Sequence, residues 1–168
     1  MEERKAAEIL RLLQARRPDF IKFIRRKKEV RILSIGSARP GIPLRLARAF
    51  NTMGIRPTVD FLEPCLAQRR NLLKLLESRC PEHFGKIHPK TQEDLECGYK
   101  YDLILSLQIP RGCGQKEKSA AEFLKKTRKL LADNGACPSF LGKKMRIPFP
   151  GCRSVRKRET AGKRIGEK

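Results

Sequence analysis

The sequence predicts an α/β fold, a parallel sheet covered on both faces by helices. Apolar runs of strand length alternate with segments of helical periodicity, in the order strand, helix, strand, helix, strand, strand, helix. The two clearest strands, VRILSI (30–35) and YDLILSL (101–107), each lead into a glycine-containing loop and then a helix, which is the βα unit of a parallel sheet. The chain has 168 residues, 39% of them hydrophobic, enough for one core of moderate size and not for two domains.

The elements follow in order. Ala7, Ile9, Leu10, Leu12 and Leu13 recur at the spacing of an apolar helical stripe, Pro18 interrupts it, and Phe20, Ile21, Phe23 and Ile24 resume it before the basic run that precedes the first strand. After the loop GSARPG (36–41), Ile42, Leu44, Leu46, Ala47 and Phe50 mark a helix that ends near 51–54, with Gly54 placed to take a left-handed conformation. Pro57 precedes a second strand, TVDFL (58–62), closed by Glu63. A helix from about Leu66 through Leu76 stops before Pro81, FGKIH (84–88) forms a short third strand, and YDLILSL the fourth. A loop with Pro110, Gly112 and Gly114 separates it from a helix over 121–131, whose apolar side holds Ala121, Phe123, Leu124, Leu130 and Leu131.

The pattern decays after ADNG (132–135). A fifth strand there has only Ala136, Cys137, Pro138, Ser139, Phe140 and Leu141 to offer, and Pro138 cannot donate a ladder hydrogen bond. Residues 142–168 show no period of either kind and read as a disordered basic tail. The expected organisation is thus a helical segment over 1–30, an α/β domain over 31–141, and the tail over 142–168.

Net charge is +21, from 39 basic and 18 acidic residues. Such an excess ordinarily suggests a polyanionic partner, but residues 142–168 hold +8 of it, against +7 for the whole of 32–141. With two tyrosines and no tryptophan, the chain offers few platforms for base stacking, so specific nucleic-acid binding is not expected. The six cysteines have no CxxC spacing, and only His83 and His88 could join them, so neither a zinc site nor a disulfide framework is indicated. No stretch approaches the ~20 apolar residues of a membrane span; the expectation is a soluble, cytoplasmic monomer with no membrane partner.

The loop after the first strand lies where α/β sheets bind nucleotides, beyond the carboxyl ends of the strands. Ala38 stands in place of the second glycine of GxGxxG, and no GK[ST] follows, which removes the P-loop reading. Alone, this loop is equally a structural turn. Glu63 adds a stronger signal, because a carboxylate at the end of the second strand can accept hydrogen bonds from both hydroxyls of an adenosine ribose. A solvated strand-end charge is the alternative reading of Glu63.

The stretches ILSIGSARPGIPLRLARAF (32–50), VDFLEPCLAQ (59–68), HPKTQED (88–94) and YDLILSLQ (101–108) resemble the S-adenosylmethionine-dependent methyltransferases, in particular the histamine N-methyltransferase group. The resemblance implies a Rossmann-like sheet of the class I methyltransferases, incomplete after the fifth strand, and covers about residues 1–135. It implies S-adenosylmethionine as cofactor, with Gly36, Ser37 and Ala38 along its methionine moiety, Glu63 on the ribose hydroxyls and Gln68 near the adenosine. Thr91 or Gln92 would sit beside the adenine, and Leu107 would pack near the cofactor at the end of the fourth strand. Gln108 matches a glutamine that contacts the amine substrate.

The implied partner is a small-molecule amine such as histamine or a related imidazole compound, and no catalytic acid, base or metal is required, because the methyl of a sulfonium is already activated. The longer N-terminal segment and the later strands of that group are not matched, so the chain resembles a truncated form. A catalytically inactive relative is the alternative, and so is a basic RNA-binding protein or RNA methyltransferase, although SLQIP (106–110) lacks the NPPY-like motif of many base-amine methyltransferases.

Overall fold

The computed structural model describes residues 2–36, 40–79, 81–89, 95, 98–106, 125–141 and 144–146. The N-terminal segment forms two helices, α1 (Glu2–Arg16) and α2 (Pro18–Lys27). Pro18 separates them because its missing N–H and fixed φ suit the first turn of a helix and not its interior. α2 carries Asp19 in its first turn and Arg25, Arg26 and Lys27 in its last, the polarity favoured by the helix dipole, and it closes on Lys28 in the left-handed region, whose N–H donates to Ile24 O.

There follow β1 (Glu29–Ile35), α3 (Gly41–Thr52), β2 (Arg56–Leu62), α4 (Leu66–Arg79), a 3-10 turn (Pro81–His83), β3 (Phe84–His88) and β4 (Tyr101–Ser106). Gly54 has φ +73° in the turn that links α3 to β2, as its position after the helix led us to expect. β2 begins earlier than the sequence indicated and contains Pro57 opposite Val30. The proline is tolerated there because Arg56 N–H already points at Lys28 O, so the next residue's N–H direction faces away from β1, and β3 pairs with β2 only from Val59 onward.

Residues 125–130 are helical, but Leu131 is not the end of that helix. It starts β5 (Leu131–Ala136), which pairs with β4 at Tyr101↔Leu131 and Leu103↔Ala136. Between those two matches one β4 residue, Asp102, faces four on β5, residues 132–135. The string ADNG therefore appears as a bulge inside a strand that starts before Ala136, where the expected fifth strand begins. β6 (Ser139–Leu141) continues along the same edge through Ser106↔Ser139, so β5 and β6 are two pieces of one fifth strand with Cys137 and Pro138 at the break.

The stretch expected to be without structure contributes β7 (Lys144–Arg146), antiparallel to β6. Three residues are too few for any period to register in the sequence, and pairing with β6 supplies what propensity does not. Residues 147–168 lie outside the described residues.

The parallel strands are ordered β3-β2-β1-β4 and then the interrupted fifth strand, with β7 added at the edge. Strand residues alternate between faces. Ile32, Val59, Phe61, Leu103 and Leu105 pack with Ile9, Leu13, Phe20, Ile24, Leu46 and Phe50 from α1, α2 and α3 in the larger core. Leu33, Ile35, Leu62, Tyr101 and Ile104 face a smaller cluster with Leu95, Leu130 and Cys137. At the amino end of the strands, buried Asp102 accepts from Lys27 Nζ at 2.9 Å and from Arg31 N–H at 2.9 Å, tying α2, β1 and β4 together. Among the described residues no helix is long and apolar enough to cross a membrane.

Candidate functional site

β1 and β2 end level with each other, Ile35 opposite Leu62, so the residues that follow them, Gly36 and Glu63, emerge side by side at the carboxyl edge of the sheet. Gly36 turns out of β1 with φ +68°, a region that L side chains seldom adopt, and its N–H donates to Leu62 O at 3.3 Å. Glu63 is anchored by its own backbone, whose N–H donates to His88 O at 3.1 Å. Arg69, one turn into α4, closes over the bend by donating to Glu63 O at 3.2 Å and Pro64 O at 2.7 Å.

The Glu63 side chain is 5% exposed and is not a solvated strand-end charge. Oε1 accepts from Cys65 N–H at 3.0 Å. Gln68 reaches the same carboxylate: in the amide orientation that satisfies both groups, its Nε2 lies 3.0 Å from Oε2 and 3.3 Å from Oε1. A carboxylate offers about four lone-pair directions, and these contacts leave Oε2 with capacity to accept. Gln68 is itself exposed, so an incoming diol would meet it first and share or replace its hydrogen bond. The structure thus brings Gly36, Glu63 and Gln68 together, with Gln68 acting on the carboxylate. Ser37, Ala38, Thr91, Gln92, Leu107 and Gln108 lie outside the described residues.

Two polar features, one at this edge and one beneath it, escaped the sequence reading. Ser106 ends β4 opposite Ile35, fully buried, and its hydroxyl is a buried side-chain polar atom without a hydrogen-bond partner among the described residues. Such an orphan is costly unless something else satisfies it, and it sits one strand away from Gly36. A polar residue closing an apolar strand is the same signal that drew attention to Glu63. The second is a buried group around Asp60, whose Oδ1 accepts from Lys86 N–H at 2.8 Å and whose Oδ2 accepts from the hydroxyls of Tyr101 and Tyr99 at 2.9 and 3.1 Å. His88 Nε2 lies 3.2 Å from the Tyr101 hydroxyl. Because the backbone of His88 holds Glu63, this group fixes β3 under the site.

No family model and no curated relative matches the sequence. Solved structures do resemble this one. An amino pentose methyltransferase from Micromonospora echinaspora, solved with SAM bound, has a TM-score of 0.58 at 19% identity, over 83% of this chain and 50% of its own. DesVI of Streptomyces venezuelae gives 0.57 at 14% identity, over 82% and 50%, and the N-methyltransferase NodS of Bradyrhizobium japonicum 0.53 at 12%, over 75% and 66%. The fold is that of the class I methyltransferases. The chain spans half to two thirds of the length of these three structures. In this methyltransferase fold the crevice beyond the carboxyl ends of the strands is the ligand side, and Gly36, Glu63 and Ser106 all lie on it.

Proposed function

We propose that the chain binds S-adenosylmethionine across the carboxyl ends of β1, β2 and β4 and serves transfer of its methyl group to a small amine. The observation that carries this reading is Glu63, a buried carboxylate beside the Gly36 turn whose Oε2 can still accept from a ribose hydroxyl. The orphaned Ser106 hydroxyl at the same edge is a second polar group that a ligand could satisfy. Structural neighbours solved with the cofactor or its product bound support the choice of ligand. The amine class is supported by NodS and coclaurine N-methyltransferase, and by the sequence resemblance, which narrows it to histamine or a related imidazole compound.

The cofactor, when bound, supplies a methyl group already activated on a sulfonium. The chain's own residues then have positional work to do. Gly36 would let the backbone approach closely, Glu63 would hold the sugar hydroxyls by charge-assisted hydrogen bonding, and Gln68 would keep the Glu63 carboxylate in place before the ligand arrives. The attacking amine must be neutral, and its alignment with the methyl carbon at near-attack distance would contribute to the rate. Gln108 is the residue proposed to hold that amine, and Ser37, Ala38, Thr91, Gln92 and Leu107 are proposed to complete the cofactor's surroundings.

Incubating the full chain with S-adenosylmethionine and histamine and detecting methylated amine by mass spectrometry tests the proposal. Turnover that disappears in Glu63→Ala is the expected result. Cofactor binding without methylation of histamine or of other small amines would support the inactive relative in its place.

A further inference from the structure

The outward face of α2 is not used by the cofactor reading. Asp19, Lys22, Phe23 and Arg26 recur at i, i+3, i+4 and i+7 and so share one side of the helix, away from Phe20, Ile21 and Ile24, which are buried in the core. Across from that side stands Asn134, exposed on the β5 bulge. With Arg25 these residues line an open cleft of about 550 Å³, a volume within the range of small-ligand sites, about 300–1,000 Å³.

Among the described residues that line it, three are cations and one is a carboxylate. Lys22, Arg25 and Arg26 are exposed and, among the described residues, form no ion pair. Asp19, the carboxylate among the described lining residues, is already held by Arg17 at 3.0 Å. Cations three and four positions apart on one helix repel each other, and an anion between them removes that repulsion. The helix dipole accounts for positive charge near the end of α2, but not for an aromatic ring and an amide placed among the cations. The chain's own tail is a poor occupant, since residues 142–168 carry ten basic and two acidic side chains.

We propose that this cleft binds a phosphate-bearing small molecule with one planar ring, of the size of a nucleoside monophosphate. Arg25 and Arg26 offer forked donors and Lys22 a point charge to the phosphate. Phe23, half-buried, gives the ring a face to lie on, and the Asn134 amide can both donate to and accept from the ring's edge. A single aromatic side chain, Phe23 among the described lining residues, suits one ring rather than a succession of stacked bases. The site is distinct from Glu63: β1 and β4 lie between β2 and the fifth strand, three strand spacings or about 14 Å.

Calorimetric titration of the full chain with uridine monophosphate tests this, uridine being chosen because it lacks the adenine of the other proposed ligand. The expected result is saturable binding at one site, weakened about tenfold or more in Lys22→Gln and in Arg26→Gln and unchanged in Glu63→Ala. Both substituted positions are exposed and glutamine is a good helix former, so matching thermal unfolding verifies that the variants are folded. Absence of saturable binding, or equal affinity in wild type and both variants, overturns the proposal. A decauridylate that binds where uridine monophosphate does not overturns it in favour of a nucleic-acid backbone. Inorganic phosphate binding as tightly as the nucleotide overturns the part assigned to Phe23.

Discussion

Between β1 and β2 seven consecutive pairs match without a slip, from Glu29↔Arg56 to Ile35↔Leu62. Between β4 and the fifth strand three pairs are matched, separated by a four-residue bulge and by the break at Pro138. The first region is held by a regular ladder with apolar packing on both faces, so its ends are fixed and can present Gly36 and Glu63 at a set separation. The second depends on individual long-range bonds. Arg17, buried at the junction of α1 and α2, donates to Gly135 O at 3.1 Å across 118 residues of chain, and Ser106 N–H reaches Pro138 O at 3.4 Å. The difference separates the proposed cofactor edge from the irregular edge of the sheet.

The largest effect is expected where the regular ladder is packed. Phe61 is 1% exposed in the larger core, and Phe61→Ala should cost about 3–5 kcal/mol, read as a lower urea midpoint with loss of amide protection throughout the sheet. Arg17→Ala should cost less, about 1–3 kcal/mol, by leaving the buried Gly135 carbonyl unpaired. Its signature is regional: hydrogen exchange should accelerate over 131–136 while the amides of β1 and β2 keep their protection. Uniform acceleration in both strands would show that the two regions are not separable.

Cysteine reactivity sharpens the same contrast. Burial pushes the Cys137 thiol up to about 12, so it stays protonated and shielded at pH 8, whereas Cys65 is exposed beside the site. Peptide mapping after brief alkylation should find Cys65 modified and Cys137 intact in the wild type, with Cys137 modified sooner in Arg17→Ala.

The smallest effect concerns Asp19, whose pKa is lowered from 3.8 chiefly by its hydrogen bond from Arg17. A carboxyl depressed in the folded state contributes stability that is present above its unfolded value and lost as the pH falls through the folded value. Asp19 is 61% exposed, so screening limits the gain to less than about 0.5 kcal/mol. Acid titration should therefore show a slight loss of stability below pH 3.8 that Asp19→Asn lacks.

Much of the regular region was legible in the sequence because its signals are local. VRILSI, the apolar helical positions over 42–50, TVDFL and even the short FGKIH carry their own periodicity and breakers, and Glu63 announces itself by following an apolar strand. The irregular region was misread for physical reasons. Leu130 and Leu131 look like one helical stripe although the chain changes element between them, and the expected fifth strand begins at Ala136 although pairing with β4 draws 132–135 into a bulged strand before it. The polar group around Asp60 was not legible at all, since Lys86, Tyr99 and Tyr101 lie 26, 39 and 41 positions from it and no spacing rule connects them. The role of Gln68 was only half legible: its nearness to the site followed from the resemblance, but its contact with the Glu63 carboxylate depends on how α4 leaves the bend.

Calorimetric titration with S-adenosylhomocysteine, on the wild-type chain and on Glu63→Ala, tests the central claim most directly. Saturable binding that weakens by about tenfold or more when the carboxylate is removed, as loss of hydrogen bonds to a charged group requires, is the predicted result. No heat with the wild type, or equal affinity in the two proteins, would contradict a cofactor site built on Glu63.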